Sequence, residues 1–215
     1  MAMTIRKPHY IESLISMGES ENLDFKFAVN DSLKIAKSLV AFGNRGGGTL
    51  LIGVKDNGSI VGVKTEEEYY MVHLAASYYC RPEIEFSCRE WNVGGKRVLE
   101  VMVLDSNNGP YRVKVQADQW RILLRIFDSN VEVSSVVARF LIKKRTYDGT
   151  VICLGDDERK LLHVFGQGDC FSEHELIRLS GLPKREIHRL LVNLLLMSLV
   201  EYRFMNGEFV YSMIQ

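Results

Sequence analysis

Residues 38–63 read SLVAFGNRGGGTLLIGVKDNGSIVGV and constrain the chain more than any other stretch. Ser38 to Phe42 close a helix, three glycines follow (Gly46, Gly47, Gly48), and an apolar strand runs from Thr49 to Val54. Consecutive glycines let the backbone turn sharply after a helix and adopt left-handed angles. Asn57-Gly58, between that strand and a second apolar run from Ser59 to Val63, predicts a hairpin. A phosphate-cradling reading of the glycines fails on order and on chemistry. A Walker loop opens a helix and carries a lysine and a hydroxyl residue after its last glycine. These glycines follow a helix and open a strand, with Arg45 before them and Thr49 after, and no GxGxxG pattern is present.

The 215 residues suffice for one large or two small domains, and an apolar content of 47% suits buried cores. There are 27 basic and 27 acidic residues, so any nucleic-acid surface must be a local patch. Cys80, Cys88, Cys153 and Cys170 form no CxxC or Cys/His cluster, which argues against structural zinc. The first residues show no apolar leader, and no apolar run reaches the ~18 residues of a membrane span. The expectation is a cytoplasmic protein with reduced thiols, no membrane contact and no bound cofactor.

The first part alternates helices and strands in an order that predicts an α+β domain over residues 1–147. Pro8 opens a helix to about Met17. Residues 21–27 then alternate, placing Leu23, Phe25 and Phe27 toward a core and Asn22, Asp24 and Lys26 on the opposite face. Asp31 caps a helix through Phe42, and Thr65 with Glu66–Glu68 opens another to about Cys80. Strands are expected at Ile84–Trp91, Arg97–Leu104, Tyr111–Val115 and Trp120–Ile126, and a helix from about Val131 to Lys143 closes the domain. The stretch from Thr146 to Gly155 reads as a linker.

The glycine stretch, preceded by Glu19, Asp24, Phe25 and Lys26, resembles the Schlafen AlbA_2 domain over roughly residues 9–145. Bacterial members of that family are described as DNA-binding or ATP-binding regulators. Family members with an RNA-cleaving acidic site carry a glutamate, a second acid five positions on, and a lysine two beyond that. Glu19, Asp24 and Lys26 stand at that spacing, and the resemblance implies a third acid from the hairpin, Asp56. Glu19, Asp24 and Asp56 would then hold Mg²⁺ or Mn²⁺, and Lys26 would stabilise charge on the phosphorane. The opposing reading makes Asp24 and Lys26 a solvated strand face carrying a paired charge. The family also shows a strand arginine before a small-residue stretch, which Arg125 and Asp128-Ser129-Asn130 resemble.

Residues 155–215 predict a winged helix-turn-helix domain. Acids at 156–158 precede the stripe Leu161, Leu162, Phe165; Ser172 with Glu175 forms a capping box; Pro183 starts a third helix; and Asn206-Gly207 closes a terminal hairpin. The third helix would enter the major groove of DNA with Lys184, Arg185, His188 and Arg189 at its leading end, while Arg203 and Asn206 on the hairpin reach an adjacent groove. Residues 151–215 nevertheless hold seven basic and nine acidic side chains, so a protein-interaction module stays open beside DNA binding. Residues 190–197 are apolar on nearly every side and need cover all round, which predicts contact with the first domain or a second copy, hence a homodimer. The leading expectation is a DNA-binding transcriptional regulator. A metal-dependent nuclease and a non-catalytic assembly module are the alternatives.

Overall fold

The computed structural model describes residues 9–63, 66–106, 108–117, 119–149 and 155–214. The fold is mixed α+β, and the chain divides into two compact units, residues 1–132 and 133–215. Pro8, Thr65 and Cys153 lie outside the described residues, as do residues 150–154 of the expected linker.

The first unit contains α1 (Tyr10–Met17), β1 (Leu23–Lys26), α2 (Ser32–Arg45), β2 (Gly47–Ile52), α3 (Glu67–Tyr78), β3 (Cys80–Arg81), β4 (Phe86–Val93), β5 (Lys96–Leu104), β6 (Arg112–Gln116), β7 (Gln119–Arg121), β8 (Leu123–Ile126) and β9 (Ser129–Glu132). Its main sheet has the order β1-β2-β5-β4, parallel between β1 and β2 and antiparallel elsewhere. Two smaller sheets are β3-β6-β7 and β8-β9. The expected strand at residues 120–126 is therefore two strands in different sheets.

Both faces of the main sheet are covered. Leu50, Ile52, Val101 and Val103 pack with α2 and α3, and Leu23, Phe25, Leu51 and Val98 pack with Ile11 of α1. The period-two reading of β1 gives the right directions but the wrong environment for two residues. Asp24 points away from Phe25, yet it is buried beneath α2 with 2% of its surface exposed, and Phe27 is half exposed beyond the strand end.

The local signals at α2 hold. Asp31 accepts a hydrogen bond from the Leu33 amide at 2.8 Å, and Gly46 ends the helix in the left-handed region at φ 104°. Gly48 has a different reason to be glycine: a Cβ there would lie 2.3 Å from the Phe42 ring. The predicted hairpin shrinks to one bridge, Val54 to Ile60. Gly53 and Gly62 both take positive φ and break the ladder, and β2 pairs instead with β1 and β5.

The second unit contains α4 (Ser135–Lys144), α5 (Asp156–Phe165), β10 (Phe171–Ser172), α6 (Glu173–Ser180), α7 (Lys184–Leu196), β11 (Val200–Met205) and β12 (Glu208–Met213), with a sheet of order β10-β12-β11. The Ser172–Glu175 capping box forms as expected. The sequence reading attached α4 to the first domain. In the structure it packs on α7, burying Val136, Val137 and Phe140. That contact explains the apolar girth of α7: Leu190, Leu191, Val192, Leu194 and Leu195 are buried within this unit, among α4, α5, α6 and β11. Cover from a second copy is not required.

Candidate functional site

The first unit holds a buried polar network centred on Asp24. Its Oδ1 lies 2.8 Å from Lys26 Nζ and 3.2 Å from an Arg125 guanidinium nitrogen, and its Oδ2 accepts from Ser38 Oγ at 2.8 Å. Arg125 is as buried as Asp24. It donates to the Ser20 carbonyl at 3.2 Å, to Asn130 Oδ1 at 3.1 Å and to the Leu23 carbonyl at 3.4 Å. Asn130 Nδ2 in turn donates to Ser38 Oγ at 3.1 Å. Every participant finds partners, as a buried ion pair requires.

Glu19 stands at the edge of this network, half-buried, and accepts from the Phe25 amide at 2.8 Å. Burial, and then a hydrogen bond to Asp24, push its carboxyl up to about 7. Burial pushes Asp24 up as well, but the Glu19 hydrogen bond and the Lys26 and Arg125 charges outweigh it and hold the group below its ordinary range. Two adjacent carboxyls are thereby driven apart, one titrating near neutrality and one ionised there. Asp56 does not join them; it is exposed in the turn between Val54 and Ile60. Among the described residues no group of three or more His, Cys, Asp or Glu could hold a metal ion. Glu19, Asp24 and Asp56 thus do not make the cradle for Mg²⁺ or Mn²⁺ that their spacing suggests, and no metal-dependent step follows from them.

The second unit carries the residues expected to meet DNA, and their surroundings differ from one to the next. Lys184 Nζ lies 2.9 Å from Glu173 Oε1, and His188 Nε2 lies 2.8 Å from the same oxygen. His188 is buried, with Nδ1 3.4 Å from Ser135 Oγ, so it cannot reach a base edge. This corrects the expectation for His188: the α4–α7 contact covers that side of the helix. Arg189 pairs with Glu158 at 3.1 Å and with Glu186. Arg203 pairs with Glu201, and Asn206 is exposed at the hairpin turn with φ 53°. Arg185 is exposed and makes no ion pair among the described residues.

A groove of ≈ 620 Å³ runs between α4 and α7. Arg139 and Lys143 line it from α4; Arg185, Glu186, Arg189 and Val192 line it from α7. Among the described residues, Arg139 and Lys143 also lack an acidic partner. The sequence reading missed both, naming Lys143 only as the approximate end of the closing helix. Their i, i+4 spacing was visible, but α4 had been assigned to the wrong neighbour.

A family model described as Schlafen, AlbA_2 matches residues 19–134, more than half of the chain. The chain belongs to the Schlafen AlbA_2 family. The AlbA_2 match contains Glu19, Asp24, Lys26, Arg125 and Asn130, and it ends before α4, so the groove and α7 lie outside it. No curated protein matches the chain. Among solved structures, the DIP2311 protein of Corynebacterium diphtheriae is 20% identical with a TM-score of 0.47 over 79% of this chain. This chain covers 41% of that protein's length. The N-terminal domain of a RecG-related protein from Nitrosomonas europaea is 22% identical with a TM-score of 0.36, over 46% of this chain and 75% of that one. Likenesses this distant carry no functional argument. No described helix is long and apolar enough to cross a membrane.

Proposed function

We propose that the protein is a DNA-binding transcriptional regulator that contacts duplex DNA through a winged helix-turn-helix formed by residues 155–215. The element order α5-β10-α6-α7-β11-β12 supports this, with the antiparallel hairpin as the wing. Gly181 takes the left-handed angle that ends α6, and Pro183 caps α7 two residues later, so the two helices join through a tight turn. In such a pair the second helix enters the major groove with its N-terminal side chains toward base edges.

The observation that carries the reading is Arg185. It stands exposed on the first turn of α7 with no carboxylate among the described residues neutralising it, while Lys184 and Arg189 are held by acids. A free guanidinium at that position can pair with guanine or a phosphate oxygen. R185A should weaken binding of the full chain to duplex DNA about tenfold or more, the scale of one good base contact. Binding equal to wild type would remove the proposal. A homodimer is retained only as the partner of a palindromic site, and sedimentation with and without DNA tests it.

A second reading is a nuclease built on Glu19, Asp24 and Lys26. Its support is the split carboxyl pair beside a lysine, which is how one site supplies both a proton donor and an ionised group near neutral pH. Single-stranded RNA and DNA left intact by the full chain, with and without Mn²⁺, would dispose of it, as would cleavage that persists unchanged in E19Q.

A further inference from the structure

We propose that α4 is part of the DNA interface, with Arg139 and Lys143 seating the phosphate backbone of a duplex whose major groove receives α7. This rests on the duplex reading above and adds to it a second wall that lies outside both the AlbA_2 match and the helix-turn-helix.

The whole chain is neutral, yet the groove gathers Arg139, Lys143, Arg185 and Arg189 against Glu186. Arg189 is already neutralised by Glu158 and Glu186. Of the cations that line the groove, Arg139, Lys143 and Arg185 have no acidic partner among the described residues, so most of the groove's uncompensated charge belongs to α4. A polyanion is drawn to uncompensated charge, because binding there releases counterions and breaks no internal ion pair.

The helix itself gives a second argument. Residues four apart are neighbours on a helix surface, and like charges at that spacing destabilise it. Lys143 in the last turn is favoured by the helix dipole, but Arg139 sits a full turn earlier, where that effect has faded. The fold therefore supplies no counter-charge among the described residues for the exposed Arg139 beside Lys143, and a phosphate strand lying along the groove would supply one.

The division of labour follows from position. Arg185 leads α7 and is placed for base edges, whereas Arg139 and Lys143 flank that helix and meet what flanks the groove, the sugar–phosphate strand. Phosphate contacts fix orientation and affinity without reading sequence.

The test is fluorescence anisotropy of the full chain with labelled duplexes of several sequences, over a series of salt concentrations. R139A/K143A should raise Kd about tenfold at low salt and make the slope of log K against log salt shallower by about 1.8, since each phosphate contact contributes about 0.9. The loss should be uniform across sequences. R139K/K143R should bind as wild type, because the seat needs charge. K144A should change nothing, because Lys144 lies over the Phe140 ring and does not line the groove. If R139A/K143A keeps the wild-type Kd and slope while R185A binds weakly, the α4 seat is wrong and the duplex reading stands. If R185A also binds as wild type, the reading fails and takes the seat with it.

Discussion

Arg125 and Asp24 form an ion pair at 3.2 Å with 2% of each side chain exposed. They are about a hundred residues apart in sequence, and the pair fastens β8 to β1 beneath α2. Removing Arg125 leaves Asp24 to the partly solvated Lys26 and leaves the Ser20 and Leu23 carbonyls without its guanidinium as donor, which costs more than the pair contributes relative to water.

Arg125→Met should therefore destabilise the protein by about 3–5 kcal/mol, read as a lower denaturant midpoint in urea unfolding. Lys26→Met should cost much less, because Lys26 is partly solvated and Asp24 keeps Arg125 and Ser38. Equal losses in the two variants would contradict the central place given to Arg125.

Glu19 gives a pH signature. Its folded pKa is about 7 against an ordinary value of 4.5, so the folded state binds the extra proton. Its contribution to stability is therefore greatest in acid, falls as the pH rises from about 4.5 to about 7, and is constant above that. E19Q keeps an acceptor for the Phe25 amide and a donor toward Asp24 at every pH. The stability difference between E19Q and wild type should grow in favour of E19Q across that window. A constant difference from pH 4 to pH 8 would show that Glu19 is not held protonated.

Gly48→Ala tests the glycine turn. A Cβ would meet the Phe42 ring at 2.3 Å, in a core where Phe42 is fully buried. The overpacking should cost about 1–3 kcal/mol. Wild-type stability would mean that Phe42 can move aside.

Among the described residues Glu186 is the one carboxylate lining the basic groove, and it holds Arg189 from within it. Glu186→Gln should tighten binding to duplex DNA several-fold, since it raises the net charge of the groove by one while Arg189 stays held by Glu158. Weaker binding in this variant would mean that the Glu186–Arg189 pair orders the surface and does not mask it.

Features that depend on a few consecutive residues could be read from the sequence: the Asp31 cap, the Ser172–Glu175 box and the terminal hairpin with its two-residue turn, whereas the helix expected to end at Phe42 runs on to Arg45 with Gly46 as its cap. The spacing of Glu19, Asp24 and Lys26 was visible too, and the structure brings these three together. Distant cover was not visible. Alternation along β1 tells which way Asp24 points, but α2 and Arg125, which bury it, lie elsewhere in the chain. Asp56 stays apart because Gly53 and Gly62 divert the backbone, an effect of two φ angles that resembles any Asn-Gly turn in sequence. The apolar stripe of α4 fits either neighbour, so only the packing reveals that it sheathes α7. The acids that hold Lys184 and Arg189 come from α5 and α6 as well as from α7, and reading α7 by itself leaves those cations looking free.

The central claim is that the second unit binds duplex DNA through a few uncompensated cations. Titration of the full-length wild-type chain with labelled duplex DNA, from low to physiological salt, tests it most directly. The account predicts saturable binding whose log K falls with log salt at a slope of about −2, one step of about 0.9 for each of the phosphate contacts of Arg139 and Lys143. No binding at low salt, or affinity that does not change with salt, would contradict it.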